Sequence, residues 1–284
     1  MGILSIQSHV AYGYVGNTAA TFPLQRLGHD VWAVNTVEFS NHTGYGSWTG
    51  RILGADLVRE LVRGLRERGI FATCRAVLSG YLGDAEVGRA IVETVAMVRK
   101  ESPDALYCCD PVMGDYGRGF FVKQDIPDAI RREVVPCADI VTPNLFELET
   151  LSGMKVANTE DARRAMDAVH GMGPKVVLTT SYRGAESAAD HIDMLVSDGQ
   201  GLYRIRTPEL SIDPAPNGAG DLTAALFLSR YLETGDARSA LESTAASVYG
   251  ILAATYREKS RELRIIQAQE ELAYPSHAFS AVRV

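Results

Sequence analysis

Asn217-Gly218-Ala219-Gly220-Asp221 runs without a break into an apolar stretch at 222–232. A glycine-rich turn that opens a helix bares backbone N–H groups at the positive end of the helix dipole. The anion that usually settles there is a phosphate. Asp221 falls in the first helical turn, beside wherever that anion would lie. Two readings stand on these five residues. In one, this is an ordinary helix start whose aspartate is a favourable N-terminal charge. In the other, the carboxylate, which would repel a merely bound phosphate, takes a proton from an alcohol that attacks the phosphate.

Upstream of this turn, short β-like runs alternate with longer amphipathic stretches. Strands are expected at 3–7, 31–37, 76–79, 106–109, 139–142 and 176–179, with helices between them at 17–27, 55–68, 84–100, 127–134, 144–151 and 160–172. The helix at 55–68 carries Leu57, Val58, Leu61, Val62 and Leu65 on one face. The rhythm then changes. Runs at 192–196 and 202–205 flank Asp198-Gly199-Gln200-Gly201, the pattern of an antiparallel hairpin. Helices at 222–233 and 237–256 follow, and the charged segment 257–272 reads as a last helix.

Strand–helix alternation without a composition break argues for one α/β domain over 1–284, with a largely parallel sheet and helices on both faces. In such sheets the ligand lies at the carboxyl ends of the strands. Polar and glycine-rich clusters fall there repeatedly: Ser8-His9, the segments 38–46 and 110–119, Gly80-Tyr81, the segment 142–147, and Thr180-Ser181. Convergence from independent strands carries more weight than any single motif.

Composition narrows the function classes. Hydrophobic residues make up 46% of the 284 and charged residues 22%, as in a soluble protein with a substantial core. The net charge of -7 disfavours a nucleic-acid binder, which needs a basic face. No signal peptide is visible, and no apolar run reaches the roughly 18 residues of a membrane span. Cys74, Cys108, Cys109 and Cys137 show no C-x-x-C pair or metal-ligand spacing, which suits reduced thiols in the cytosol. No G-x-G-x-x-G lies in a βαβ context and no Lys completes a P-loop, so a nicotinamide enzyme is disfavoured.

The clusters each admit a plain and a chemical reading. Asp110-Pro111-Val112-Met113-Gly114-Asp115 is turn chemistry, or a carboxylate pair able to hold Mg²⁺ through water or an alkali cation. Glu147 lies three residues after the cap Asn144, in position for a capping box or to aim a carboxylate at metal-bound phosphates. Glu149 is expected in solvent. Asn41-His42-Thr43-Gly44-Tyr45-Gly46 forms a loop suited to close over a flat polar ring, with His42 expected as a hydrogen-bonding surface residue. Tyr81 is a wall residue or a stacking partner for an aromatic substrate.

Taken in order, the segments Ser5-Ile6-Gln7-Ser8-His9-Val10, Gly13-Tyr14-Val15-Gly16-Asn17, Asn41-His42-Thr43, Ser79-Gly80-Tyr81, Asp110-Pro111-Val112-Met113-Gly114, Thr142-Pro143-Asn144-Leu145-Phe146-Glu147 and Gly218-Ala219-Gly220-Asp221 span nearly the whole chain. In these the chain resembles the pyridoxal kinases of the ribokinase-like superfamily. The resemblance implies a three-layer αβα sandwich and phosphoryl transfer from ATP, with Mg²⁺, to the 5′-hydroxymethyl group of pyridoxal. It implies that Asp221 is the base on that hydroxyl and that the amides of Gly218, Ala219 and Gly220 form the anion hole. Ser8, Thr43 and Gly44 would bind the polar edge of the ring, with Tyr81 on its face. Asp110, Thr142, Glu147, Thr180 and Ser181 would serve the ATP phosphates, with Asp110 and Glu147 on the cation. Arg206, Thr207, Pro208 and Glu209 match the family's nucleotide-contacting strand end. Similar kinases are homodimers and often use K⁺. Gly117 and Gly119 would permit the segment 115–121 to close over ATP.

Two departures matter. Thr180 stands where bacterial relatives often carry Lys, which removes a cationic phosphate partner; the Thr180 and Ser181 hydroxyls resemble the eukaryotic pattern instead. Ala219 stands where many superfamily members have Thr, a tolerable change if backbone N–H groups form the anion hole. The alternatives are a hydroxymethylpyrimidine kinase of the same superfamily and a non-catalytic B6-vitamer carrier.

Overall fold

The computed structural model describes residues 2–284. In chain order the first half holds β1 (Gly2–Tyr12), α1 (Asn17–Arg26), β2 (Asp30–Asn41), β3 (Gly50–Ile52), α2 (Gly54–Glu67), β4 (Cys74–Ser79), α3 (Ala85–Glu101), β5 (Leu106–Cys109), β6 (Gly114–Asp115), β7 (Gly119–Phe120), α4 (Ile126–Ala129) and β8 (Ile140–Val141). The second half holds α5 (Leu145–Ser152), α6 (Thr159–His170), β9 (Val176–Tyr182), β10 (His191–Ser197), β11 (Leu202–Pro208), α7 (Ala219–Thr234), α8 (Ala237–Arg257), α9 (Glu270–Ala273) and β12 (Val282–Arg283).

One sheet runs β12-β11-β10-β9-β8-β5-β4-β1-β2-β3, and β6–β7 form a separate hairpin. The six strands from β9 to β2 are parallel. Both margins turn antiparallel, at β3 on one side and from β10 to β12 on the other. Side-chain alternation divides the core. Leu4, Val77, Tyr107, Cys109, Val141 and Val177 pack on one face with α2, α3, α5 and α6. Their neighbours Ile3, Ala76, Leu78, Cys108, Ile140 and Val176 face α1, α7 and α8 on the other. A run apolar at every position is what a strand covered by helices on both faces requires, and it gives the three layers.

Several boundaries differ from the sequence reading. β1 and β2 extend well past residues 7 and 37, so Ser8-His9 and residues 38–41 are strand rather than loop. β4 leaves β1 after Ile6, so the polar end of β1 projects from the sheet beside β2 alone. The segment 257–272 is not one helix. α8 ends at Arg257, and only the short α9 is helical beyond it. Lys259 has φ 50°, and Ser260 N–H bonds back to the Thr255 carbonyl, which turns the chain. Leu263 and Ile265 then bury completely, a two-residue alternation that a helix would break.

Candidate active site

The anion turn is built as its sequence suggests. Gly218 is the N-cap of α7 with φ 88°. A Cβ there would lie 1.7 Å from the Tyr14 carbonyl oxygen, so only glycine fits both the backbone angle and the space. The first amides of α7 have no intrahelical acceptor, and they open onto the cavity lined by Gly218, Ala219, Gly220 and Asp221. The Gly16 amide bonds the Asp221 carboxylate and partly offsets the burial that pushes its pKa up to about 6. Asp110 is 5% exposed and its Oδ2 lies 4.0 Å from where a Gly220 Cβ would sit. Burial, then the charges of Glu147 and Asp221, hold the Asp110 carboxyl well above the usual range.

The cavity has a volume of about 950 Å³ and spans the carboxyl edge of the sheet. Its acceptor side carries Ser8, Thr43 and Tyr81, joined by Phe39 and His42. The backbone of Tyr81 is pinned by a 2.7 Å bond from Thr36 Oγ1 to its carbonyl. Gly44 does not line the cavity; its backbone packs against Asn217.

The opposite side carries Asp110, Thr142, Glu147, Thr180, Ser181, Thr207, Pro208 and Glu209. Thr180 and Ser181 reach it through a bulge: Leu195 pairs with Thr179 but Asp193 pairs with Tyr182, one extra residue on β9. Ser181 adopts φ 54°, a left-handed state that a non-glycine residue keeps only where the surrounding structure holds it. Arg206 is absent from the wall. Along β11 it points to the face opposite Thr207, and its guanidinium forks onto buried Asp193 at 2.8 and 2.9 Å. That pairing takes it away from the nucleotide contact expected of it.

Glu147 settles into the capping box. Its Oε2 accepts from the Asn144 amide at 2.9 Å, and its Oε1 accepts from Met113 N at 2.8 Å and Gly114 N at 3.4 Å. Burial still pushes its pKa up to about 7 against those three amides. Both Glu147 oxygens thus accept from backbone amides, while Asp110 has no backbone donor of that kind among the described residues. Glu149 is not in solvent. It is 8% exposed and accepts from Tyr116 Oη at 2.5 Å, Lys155 Nζ at 2.7 Å and Val156 N at 2.9 Å.

His42 is buried, contrary to expectation, at 5% exposure. Its Nε2 meets Glu262 Oε1 at 2.9 Å. The same oxygen accepts from Tyr45 Oη at 2.7 Å, and Oε2 accepts from the Tyr14 amide at 3.1 Å. Burial raises the Glu262 pKa, but the hydrogen bonds from His42 and Tyr45 outweigh it and leave it below the usual range. An ionised Glu262 fixes the Nε2–H tautomer of His42. No sequence signal links residues 220 positions apart, so this tie was not legible.

Arg118, Arg183, Phe146, Asn217 and Tyr249, to which the sequence reading assigned no role, also line the cavity. Only the glycines around Arg118 marked its segment for attention. The layer order, the receiving helix end and the carboxylate beside it define a ribokinase-like small-molecule kinase. The family described as phosphomethylpyrimidine kinase matches residues 66–263. Pyridoxal kinase PdxY of Granulibacter bethesdensis is 50% identical over 99% of both chains, and that of Rubrobacter xylanophilus is 52% identical over 100% of this chain and 98% of its own. The structure of pyridoxal kinase from Leishmania donovani in complex with ADP and pyridoxamine superposes with TM-score 0.92 at 32% identity, over 100% of this chain and 99% of that one. The chain belongs to the pyridoxal kinase family.

Proposed function

We propose that this chain transfers the γ-phosphoryl group of ATP to the 5′-hydroxymethyl group of pyridoxal, and of pyridoxine and pyridoxamine, giving pyridoxal 5′-phosphate in B6 salvage in the cytoplasm. One observation carries the reading: Asp221 stands in the first turn of α7, next to bared amides, between a wall of ring-sized polar and aromatic groups and a wall of hydroxyls and carboxylates. Asp221 takes the hydroxyl proton as the alcohol oxygen attacks. The amides of 218–220 receive charge developing on the transferring oxygens. Ser8, Thr43 and Tyr81 hold the ring, and Thr180, Ser181 and Thr207 face the phosphates.

A divalent cation suits this donor set. Asp110 and Thr142 offer hard oxygens, and the neighbouring Asp221 and Glu147 add negative charge that a tetra-anionic nucleotide alone would not relieve. Among the described residues no group of three or more His, Cys, Asp or Glu could hold a metal by itself. That matches Mg²⁺, which keeps waters and binds through one or two carboxylates plus substrate phosphates. When bound it neutralises phosphate charge. Asp110 would hold it, and a K⁺ requirement is read by adding or omitting K⁺.

Purified protein with ATP, Mg²⁺ and a panel of vitamers tests the proposal; no pyridoxal phosphate above an Asp221→Ala control ends it. The match to the phosphomethylpyrimidine kinase description favours one other acceptor, hydroxymethylpyrimidine, and side-by-side kcat/KM values decide between the two. A non-catalytic vitamer carrier would show tight binding without ATP consumption. The exposed side chains of Tyr12, Trp48 and Ile52 support a homodimer, measurable by sedimentation. No helix among the described residues is long and apolar enough to cross a membrane.

A further inference from the structure

The β6–β7 hairpin touches two different walls. On one flank Tyr116 donates to Glu149, and Phe120 meets Phe146 edge-on at 5.0 Å between centroids. From its turn Arg118 reaches the other way. Its Nε donates to Asp115 Oδ2 at 2.9 Å, and its Nη1 donates to Asn217 Oδ1 at 3.1 Å. Asn217 directly precedes the anion turn. Its Nδ2 lies 2.6 Å from where a Cβ on Gly44 would be, so it packs on the acceptor-side loop. One carboxamide therefore touches the nucleotide-side hairpin and the acceptor-side loop at once. Of the two cationic side chains on the cavity wall, the other, Arg183, is bonded to Glu209.

Building on the kinase reading, we propose that Arg118 and Asn217 are positioning residues whose contact holds the hairpin across the cavity and keeps water from the phosphoryl group. If water replaces the alcohol, its oxygen bonds to phosphorus, the bond from phosphorus to the ADP oxygen breaks, and a proton goes to solvent. ATP is then spent without product. The contact needs a planar fork that spans Asp115 and Asn217 together. Lysine keeps the charge but is a single point donor and cannot span them.

The full chain and its variants Arg118→Ala, Arg118→Lys, Asn217→Ala and the Arg118→Ala/Asn217→Ala double are compared by two measurements. One is the rate of ATP hydrolysis not coupled to product, read as ADP formed minus pyridoxal phosphate formed. The other is amide hydrogen exchange over 114–121 with ADP bound. Each single variant is expected to raise both by about fivefold, the worth of one charge-assisted hydrogen bond in a partly exposed setting. The double variant should be no worse than the worse single, since one contact is lost in each case. Either readout staying at the wild-type value overturns the proposal, as does multiplication of effects in the double variant. A wild-type rate of uncoupled hydrolysis in Arg118→Lys assigns the role to charge alone and overturns it too. Should the unmodified chain not phosphorylate pyridoxal, the kinase reading fails, while the exchange rates still decide whether the contact holds the hairpin.

Discussion

As the proposed base, Asp221 must be ionised to accept a proton, and its burial opposes ionisation. With its pKa pushed up to about 6, the base form is lost as pH falls through that value. kcat/KM for pyridoxal should drop roughly tenfold per pH unit below 6, and Asp221→Ala should be slower by about a hundredfold or more with that limb gone from its profile. The same burial costs stability. A carboxyl whose folded pKa lies above its unfolded value binds protons more tightly when folded, so stability decreases as pH rises from about 4 through 6. Asp221→Asn removes that cost and should stabilise the protein by roughly 1–2 kcal/mol at pH 7.5 with no such gain at pH 4. Thermal melts of the two proteins at both pH values check this. A variant less stable at pH 7.5 would show that Asp221 is held by bonds worth more than its desolvation.

At the start of α7 two glycines two residues apart make opposite predictions. Gly218→Ala drives a methyl into the Tyr14 carbonyl at an unfavourable positive φ, so the turn must shift. It should cost about 1–3 kcal/mol of stability and nearly all activity. Gly220 lies inside the helix, and the nearest atom to an added methyl is Asp110 Oδ2 at 4.0 Å. Gly220→Ala should fold with unchanged or slightly higher Tm, because alanine is the better helix former, yet lose activity by crowding the proposed anion hole. Melting curves beside kcat values separate the two; equal destabilisation by both would sink this account. This turn was legible in the sequence because its physics is local: a left-handed cap, a helix end and one carboxylate within five residues. The Asn144–Glu147 capping box was legible for the same reason. The β9 bulge was not, since one inserted residue in a strand leaves no compositional trace until its partner strand is known.

Across the whole molecule, the reading from sequence succeeded where strands converge on one edge and failed where distant segments meet. The six parallel strands bring Ser8, Tyr81, Asp110, Thr142 and Thr180 to one rim, because alternation and crossover rules fix where strand ends go. The segment 257–272 obeyed no such rule. It read as a last helix, whereas Glu262 folds back onto the acceptor loop and Arg261 lies 3.8 Å over the Tyr45 ring. The C-terminal part of the chain thus sets the shape of a loop more than two hundred residues earlier. Glu262 faces three donors, His42, Tyr45 and the Tyr14 amide. In Glu262→Gln the charge is lost and one oxygen becomes an NH₂ group, so either the Tyr14 amide meets another donor or His42 and Tyr45 must turn from donors into acceptors. Losing one hydrogen bond to a charged group is worth about 1.5–3 kcal/mol, which predicts a KM for pyridoxal raised roughly tenfold or more and a lower Tm. The ATP side is built from other elements, so KM for ATP should change less than about twofold. Steady-state kinetics with each substrate varied in turn, run beside a melt, give the answer: parallel rises in both constants would mean that Glu262 supports the fold at large and does not shape the acceptor wall.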